Sequence, residues 1–384
     1  MDIQNYLEEI KDFQKNLLEY LDDEAEEIEN VNIISYIQEQ FNSKNTLEIK
    51  ETLQLILNIV NNHHRTPNFW AKIDKFFSMI KESLKQTLSN FEIFDFFKSN
   101  KRILLFLIKD SVLQVDQSII DVINDSKYWN EQYIKYFLIE SRPFISAELF
   151  DEIKEGLNNE ESKFFEENRK IGENNSFICN LIRQDSIDDF VEYVSRTNFP
   201  LSSTVKQSIF ETNSFLLNKN VSLIEYAAFF GSVQIFNYLR LNNVEMNPNL
   251  WLFVIHGRNP ELVHLLEQHQ IEPENKNYKN CLEESIKCYS NDIAVYIQDN
   301  YCFDINESNF FDDLYFKYRN YEFFPNNLNE MAFIFLLCKY NYIFLVNEIL
   351  LTCKININQE MILKFKFLNR ISTFNSLMTF CLIL

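Results

Sequence analysis

The side chains able to bind a metal or drive a reaction are few and scattered: five histidines and seven cysteines in 384 residues. His63 and His64 are adjacent, so on a helix or a strand their rings point in different directions and cannot easily share one ion. A loop setting is expected for both. His256, His264 and His269 fall close together, flanked by Glu261 and Glu267 but with no aspartate at ligand spacing, and are expected at the surface. Cys281 and Cys288 are spaced to share a helix face. They read as core residues, because Lys287 is the only cationic neighbour that could lower a thiol pKa. No phosphate-binding glycine loop, dinucleotide fingerprint, nucleophile elbow or H-E-x-x-H pair is present. The carboxylates are too numerous for spacing to single out an acid and a base. Asp22, Asp23, Glu24, Glu26, Glu27 and Glu29 cluster, which reads first as a solvated face and second as a docking surface for a basic partner. The expectation is a non-enzymatic protein without cofactor or metal, and the alternative is a metal-binding protein or enzyme using the histidine and acidic clusters.

The elements that would position these groups are helices. Only 4 glycines occur, too few for the tight hairpins of β-rich folds or for parallel-sheet nucleotide folds. The 46% hydrophobic and 24% charged fractions are those of a folded chain, and 37 phenylalanines predict a Phe-rich core. The formal charge of −20 gives the wrong long-range field for nucleic acid or an anionic membrane surface. Seven cysteines without framework spacing fit reduced thiols and a cytoplasmic location, with the nucleus as the other compartment. The N-terminus lacks a signal-peptide pattern, and no apolar run reaches the roughly 18 residues of a bilayer span.

Along residues 1–170 a helical region is predicted. Asn45-Thr-Leu-Glu48 forms a capping box ahead of Leu53, Ile56, Leu57 and Val60. Thr66-Pro67 suits a second helix start, and Phe69, Ile73, Phe76, Phe77, Ile80, Leu84 and Leu88 give that helix one apolar face. The run 103–108 is assigned to helix over strand. The polar window 151–175 marks the boundary to a second region.

Residues 171–360 carry a repeated pattern. Ile235-Phe-x-Tyr-Leu239 is matched by Asp189–Tyr193, Leu262–Leu266, Ile293–Ile297 and Leu345–Ile349, at unequal steps that require insertions at 196–221 and 300–328. Ahead of each lies a first-helix phrase: Ser176–Ile182, Ser222–Ala228, Asn249–Ile255, Asn280–Ile286 and Ala332–Cys338. Ser222-Leu-Ile-Glu-Tyr-Ala-Ala228 followed by Gly231 resembles the ankyrin T-P-L-H-x-A-A unit and its turn glycine. Residues 222–300 are similar to the divergent ankyrin-like family expanded in unicellular parasites. Elsewhere the turn glycine is replaced by Asp185, Arg258, Tyr289 and Asn341. The expected fold is therefore all-α: a helical-hairpin solenoid with degenerate ankyrin-like repeats in the C-terminal half, whose β-hairpin fingers are short or absent.

This resemblance implies a protein–protein interaction module, with a partner bound on the concave face formed by the first helices. The variable position of the signature maps to Asn180, Tyr226, Phe253, Glu284 and Leu336. Exposed Tyr226 and Phe253 beside Glu284 would make an aromatic and acidic surface for a protein with basic or apolar anchors, although filling gaps in a worn stack is the simpler role for the aromatics. A self-associating scaffold is a further alternative. Residues 361–384 end on an apolar run without a repeat signature, expected to be a truncated repeat or an aggregation-prone tail.

Overall fold

The computed structural model describes residues 3–23, 41, 45–124, 131–157, 163–217, 219–302, 308–325 and 331–353. Among these there are helices and turns but no β-strand, and one isolated antiparallel bridge joins Thr204 to Ser222. No helix is long and apolar enough to cross a membrane. Glu24–Glu29 of the acidic cluster and the 361–384 tail lie outside the described residues.

The N-terminal region contains α1 (Ile3–Asp22), α2 (Thr46–Asn62), α3 (Phe69–Thr87), α4 (Asn90–Phe97), α5 (Lys101–Lys109), α6 (Gln117–Asn124), α7 (Glu131–Tyr136), α8 (Leu138–Ser141), α9 (Ala147–Glu155) and α10 (Phe165–Ile171). The Asn45 capping box forms as expected, with Glu48 closing it. The apolar face of α3 is buried through Phe69, Ile73, Phe76, Phe77, Ile80 and Leu84. Its start is later than Thr66-Pro67 suggested. Asn68 is the N-cap, and Thr66 instead donates its hydroxyl to the Leu21 carbonyl 3.1 Å away. The 103–108 run is helical, within α5.

Next come α11 (Phe177–Arg183), α12 (Ile187–Thr197), α13 (Leu223–Phe230), α14 (Val233–Leu241), α15 (Leu250–Gly257), α16 (Pro260–Gln268), α17 (Tyr278–Lys287), α18 (Asn291–Tyr301), α19 (Ser308–Tyr318), α20 (Met331–Lys339) and α21 (Ile343–Cys353). Odd-numbered helices α11 to α19 pack on one another in sequence, and each is followed by a tight turn. These turns share one geometry. Asp185, Gly231, Arg258, Tyr289, Arg319 and Asn341 all have positive φ, from 47° to 70°. The next residue donates its N–H five residues back at Ser186→Leu181, Ser232→Ala227, Ser290→Ser285, Asn320→Tyr315 and Tyr342→Leu337. That is the Schellman closure of a helix C-terminus.

A left-handed conformation costs a residue with a Cβ about 1–2 kcal/mol, and at four of these turns the side chain gains a partner that glycine could not offer. Asp185 accepts from the N–H groups of Gln234 and Ile235, capping α14. Arg258 pairs with Asp22 of α1. Tyr289 donates its hydroxyl to the Tyr318 carbonyl at 2.7 Å, and Arg319 donates to the carbonyls of Tyr340 and Asn341. The turn at Arg319 closes α19 inside the stretch 300–328 that the sequence assigned to an insertion. Its second half is only a 3-10 turn, Tyr321–Phe323.

The N-terminal helices lie along this ridge of turns. Gln14 of α1 hydrogen-bonds Asn320 at 3.0 Å and accepts from the Tyr321 N–H, while α2 and α1 pack on α21. One continuous buried apolar cluster runs from Tyr6 to Ile349, across residue 170.

Candidate functional site

Five side chains were expected to line a concave face. Asn180, Glu284 and Leu336 are half-buried in α11, α17 and α20. Tyr226 and Phe253 are buried, at 1% and 5% exposure, so the exposed aromatic surface expected of them does not form. For Phe253 the physical reason is the stretch 196–221, read from the sequence only as a spacer, whose Phe215 packs edge-to-face on it; Tyr226 is enclosed by Phe230 and the Arg183 guanidinium, and lines a small pocket with Leu216 and Val221.

The base of this stretch is pinned where it meets α13. Val205 donates its N–H to Val221, and Leu223 donates to Ser203, framing the Thr204–Ser222 bridge. Ser222 then caps α13, with Glu225 reaching back to its N–H at 2.8 Å. Between these ends the chain forms a loop with adjacent ends and its own buried side chains, Ile209, Phe210, Phe215 and Leu216.

Phe215 is the wedge. Its ring lies 5.0 Å from Phe253 edge-to-face, 5.9 Å from Phe229 in a near-parallel stack, and 4.2 Å from the His256 ring. The Lys219 ammonium sits 3.2 Å above the Phe215 ring, a cation–π contact. Burial lowers the Lys219 pKa, and the Glu284 and Glu225 carboxylates work against that. Tyr226 packs against Phe230, and its hydroxyl accepts from Arg183 Nη1 at 3.0 Å; burial raises its pKa well above that of a free phenol.

Beside this wedge Glu284 organises a closed polar cluster. Its Oε1 is 2.8 Å from His256 Nε2 and 2.9 Å from Lys287 Nζ. Burial acts to raise the Glu284 pKa, but the hydrogen bond from His256 and the nearby positive charge outweigh it and hold it at about 2. His256 is fully buried with its ring against both Phe215 and Phe229, which corrects the surface position expected for it; burial lowers its pKa and the hydrogen bond to Glu284 opposes that. His264 and His269 are exposed, as expected. His63 and His64 occupy a loop and diverge. His63 Nε2 meets Asp22 at 2.8 Å, and His64 Nδ1 meets the His256 carbonyl at 2.9 Å.

Among the described residues, His256, Glu284 and Cys288 are the set able to hold a metal ion, with ligand atoms within 4.8 Å of one another. The same set has the composition of a cysteine–histidine–carboxylate triad. Two observations argue against either use as arranged. Cys288 Sγ is 3.4 Å from both His256 nitrogens, so it faces neither ring lone pair. Burial, followed by the Glu284 charge, raises the thiol well above its ordinary pKa, whereas nucleophiles and ligands are thiolates.

The loop is held on its other side by the N-terminal region. Lys101 Nζ donates to the Ile209 carbonyl at 2.6 Å, and Thr212 Oγ1 donates to the Gly172 carbonyl at 2.6 Å. Glu211 and Glu173 lie beside Arg65, whose Nε is 3.7 Å from Glu173 and which stacks on Phe69 and Trp70. Burial raises both carboxyls, and for Glu173 the Glu211 charge adds to it.

The sequence carried one signal for this loop that spacing could not exploit. Phe210, Phe215, Leu216, Leu217 and Val221 are apolar without helical periodicity, the mark of irregular chain that must pack on something. No family model, curated protein or solved structure matches the chain.

Proposed function

We propose that this chain is a non-enzymatic protein-binding module, in which residues 171–360 form an ankyrin-like solenoid of degenerate hairpins and a partner is taken on the face of α11, α13, α15, α17 and α20. The observation that carries this reading is the seating of Phe215: the inner helices already accommodate irregular polypeptide through an aromatic slot with carboxylates beside it. The six equivalent turns support the solenoid. Five free cysteines among the described residues fit a reducing, cytoplasmic setting, and the charge of −20 favours a protein partner over nucleic acid or an anionic membrane.

Affinity purification with mass spectrometry from the native cell, comparing the full chain with a variant carrying Asn180→Arg and Leu336→Arg, tests the reading. Both positions are half-exposed on first helices. A partner recovered by the parent and lost from a variant that still melts cooperatively is the expected result. An identical set of partners from both chains would overturn it.

A further inference from the structure

We infer that the segment from Lys206 to Lys219 is an internal ligand of the inner face, and that the partner displacing it is a peptide that makes a turn and carries an aromatic residue four positions ahead of a lysine or arginine. This rests on the binding-module reading above and names the partner chemistry for the same face.

Three features carry the inference. First, the loop fills the face as a ligand would. Phe215 enters a slot of Phe229, Phe253 and His256, and Lys219 lies over the ring, within the field of Glu284, Lys287 and Glu225. An aromatic anchor in a desolvated pocket with a charged rim is the usual composition of a binding hot spot. Second, the loop is closed at its base by the Thr204–Ser222 bridge, and among its described residues there is neither helix nor strand. Third, loops this long without regular structure are uncommon in compact domains unless they have a role.

A tethered segment competes at an effective concentration in the millimolar range. A free peptide of the same sequence should therefore bind the parent chain poorly. It should bind strongly once the tethered copy has lost its anchors.

The test uses a fluorescent peptide of residues 208–221 and anisotropy titration against the full-length chain. The variant Phe215→Ala with Lys219→Ala is expected to bind the peptide at least tenfold more tightly than the parent, and a peptide with Phe215→Ala to bind neither. Equal affinity for parent and variant, or no binding to a variant shown by circular dichroism to be folded, overturns the inference. If the double variant does not fold, Lys219→Ala alone replaces it, since that side chain is exposed and its loss removes the cation–π contact with Phe215. Tighter peptide binding than to the parent is again expected, and unchanged binding again overturns it. A negative peptide result together with loss of a cellular partner in the Asn180→Arg, Leu336→Arg chain would leave the module reading standing and remove only the internal ligand.

Discussion

Gly257 and Ala228 meet backbone to backbone: a Cβ placed on Gly257 would lie 2.1 Å from the Ala228 carbonyl oxygen, with Gly231 N a further 3.1 Å neighbour. This contact joins the C-terminal ends of α13 and α15, the two helices that form the Phe215 slot. Gly231 stands on the other side of the contact, with φ of 70° and a virtual Cβ 2.8 Å from the Gly257 carbonyl. Gly257→Ala is therefore expected to destabilise by more than the about 1–3 kcal/mol of ordinary overpacking. Gly231→Ala adds the left-handed penalty of about 1–2 kcal/mol to a smaller clash. Gly156→Ala serves as control, because its Cβ would meet only Ile153 O at 3.3 Å and the flexible end of Lys135. Urea denaturation should rank them Gly257, Gly231, Gly156.

Tyr226 and Phe253 now carry a stability prediction where surface residues would carry none. Each is buried, Phe253 against Phe215 and Tyr226 against Phe230, and truncation of a core aromatic costs about 3–5 kcal/mol. Tyr226→Ala and Phe253→Ala are each expected to lower the thermal midpoint markedly. A change within experimental error for both would mean that neither is a core side chain in solution.

What could be read from the sequence, and what could not, divides along the range of the interactions. Helices and caps depend on neighbours in the chain, so the Asn45 box, the α3 stripe and the helical state of 103–108 were legible. The turn positions were legible too, because Asp185, Arg258, Tyr289 and Asn341 aligned with Gly231. Arg319 was missed because its hairpin lacks the second helix that served as the ruler. Burial of Phe253 and His256 depends on Phe215, carried by a loop that folds back over them, and that of Tyr226 on Arg183 of another hairpin. No period encodes that, and a ligand-facing position and a loop-covered one have the same residue type.

Glu51 gives the fold a measurable pH dependence. Burial raises its carboxyl to about 7, with Arg319 and the Tyr321 hydroxyl opposing the shift. Because the folded value exceeds the unfolded one of 4.5, the unfolded chain releases this proton first as pH rises. The stabilising contribution is thus complete below about pH 4.5 and is lost as pH passes 7. Glu51→Gln lacks this term. Its stability relative to the parent should rise by about 3 kcal/mol between pH 4.5 and pH 8, from 2.5 units at 1.36 kcal/mol each. Parallel pH profiles for the two chains would place Glu51 in contact with water.

The His256–Glu284–Cys288 cluster leads to the last prediction. A divalent ion there would have to remove the Cys288 proton, displace the Lys287 ammonium from Glu284 Oε1, and turn the His256 ring against its packing on Phe215 and Phe229. Each of these replaces a satisfied buried interaction, and the first opposes a thiol whose pKa burial already raises. Cobalt(II) added to the full chain is expected to produce no thiolate-to-metal charge-transfer band. The band should appear instead when Lys287→Ala and Phe215→Ala are combined, since that frees both the carboxylate and the ring. A band in the parent chain that Cys288→Ser abolishes would show that the cluster opens readily, and would favour metal binding over a closed polar core at this site.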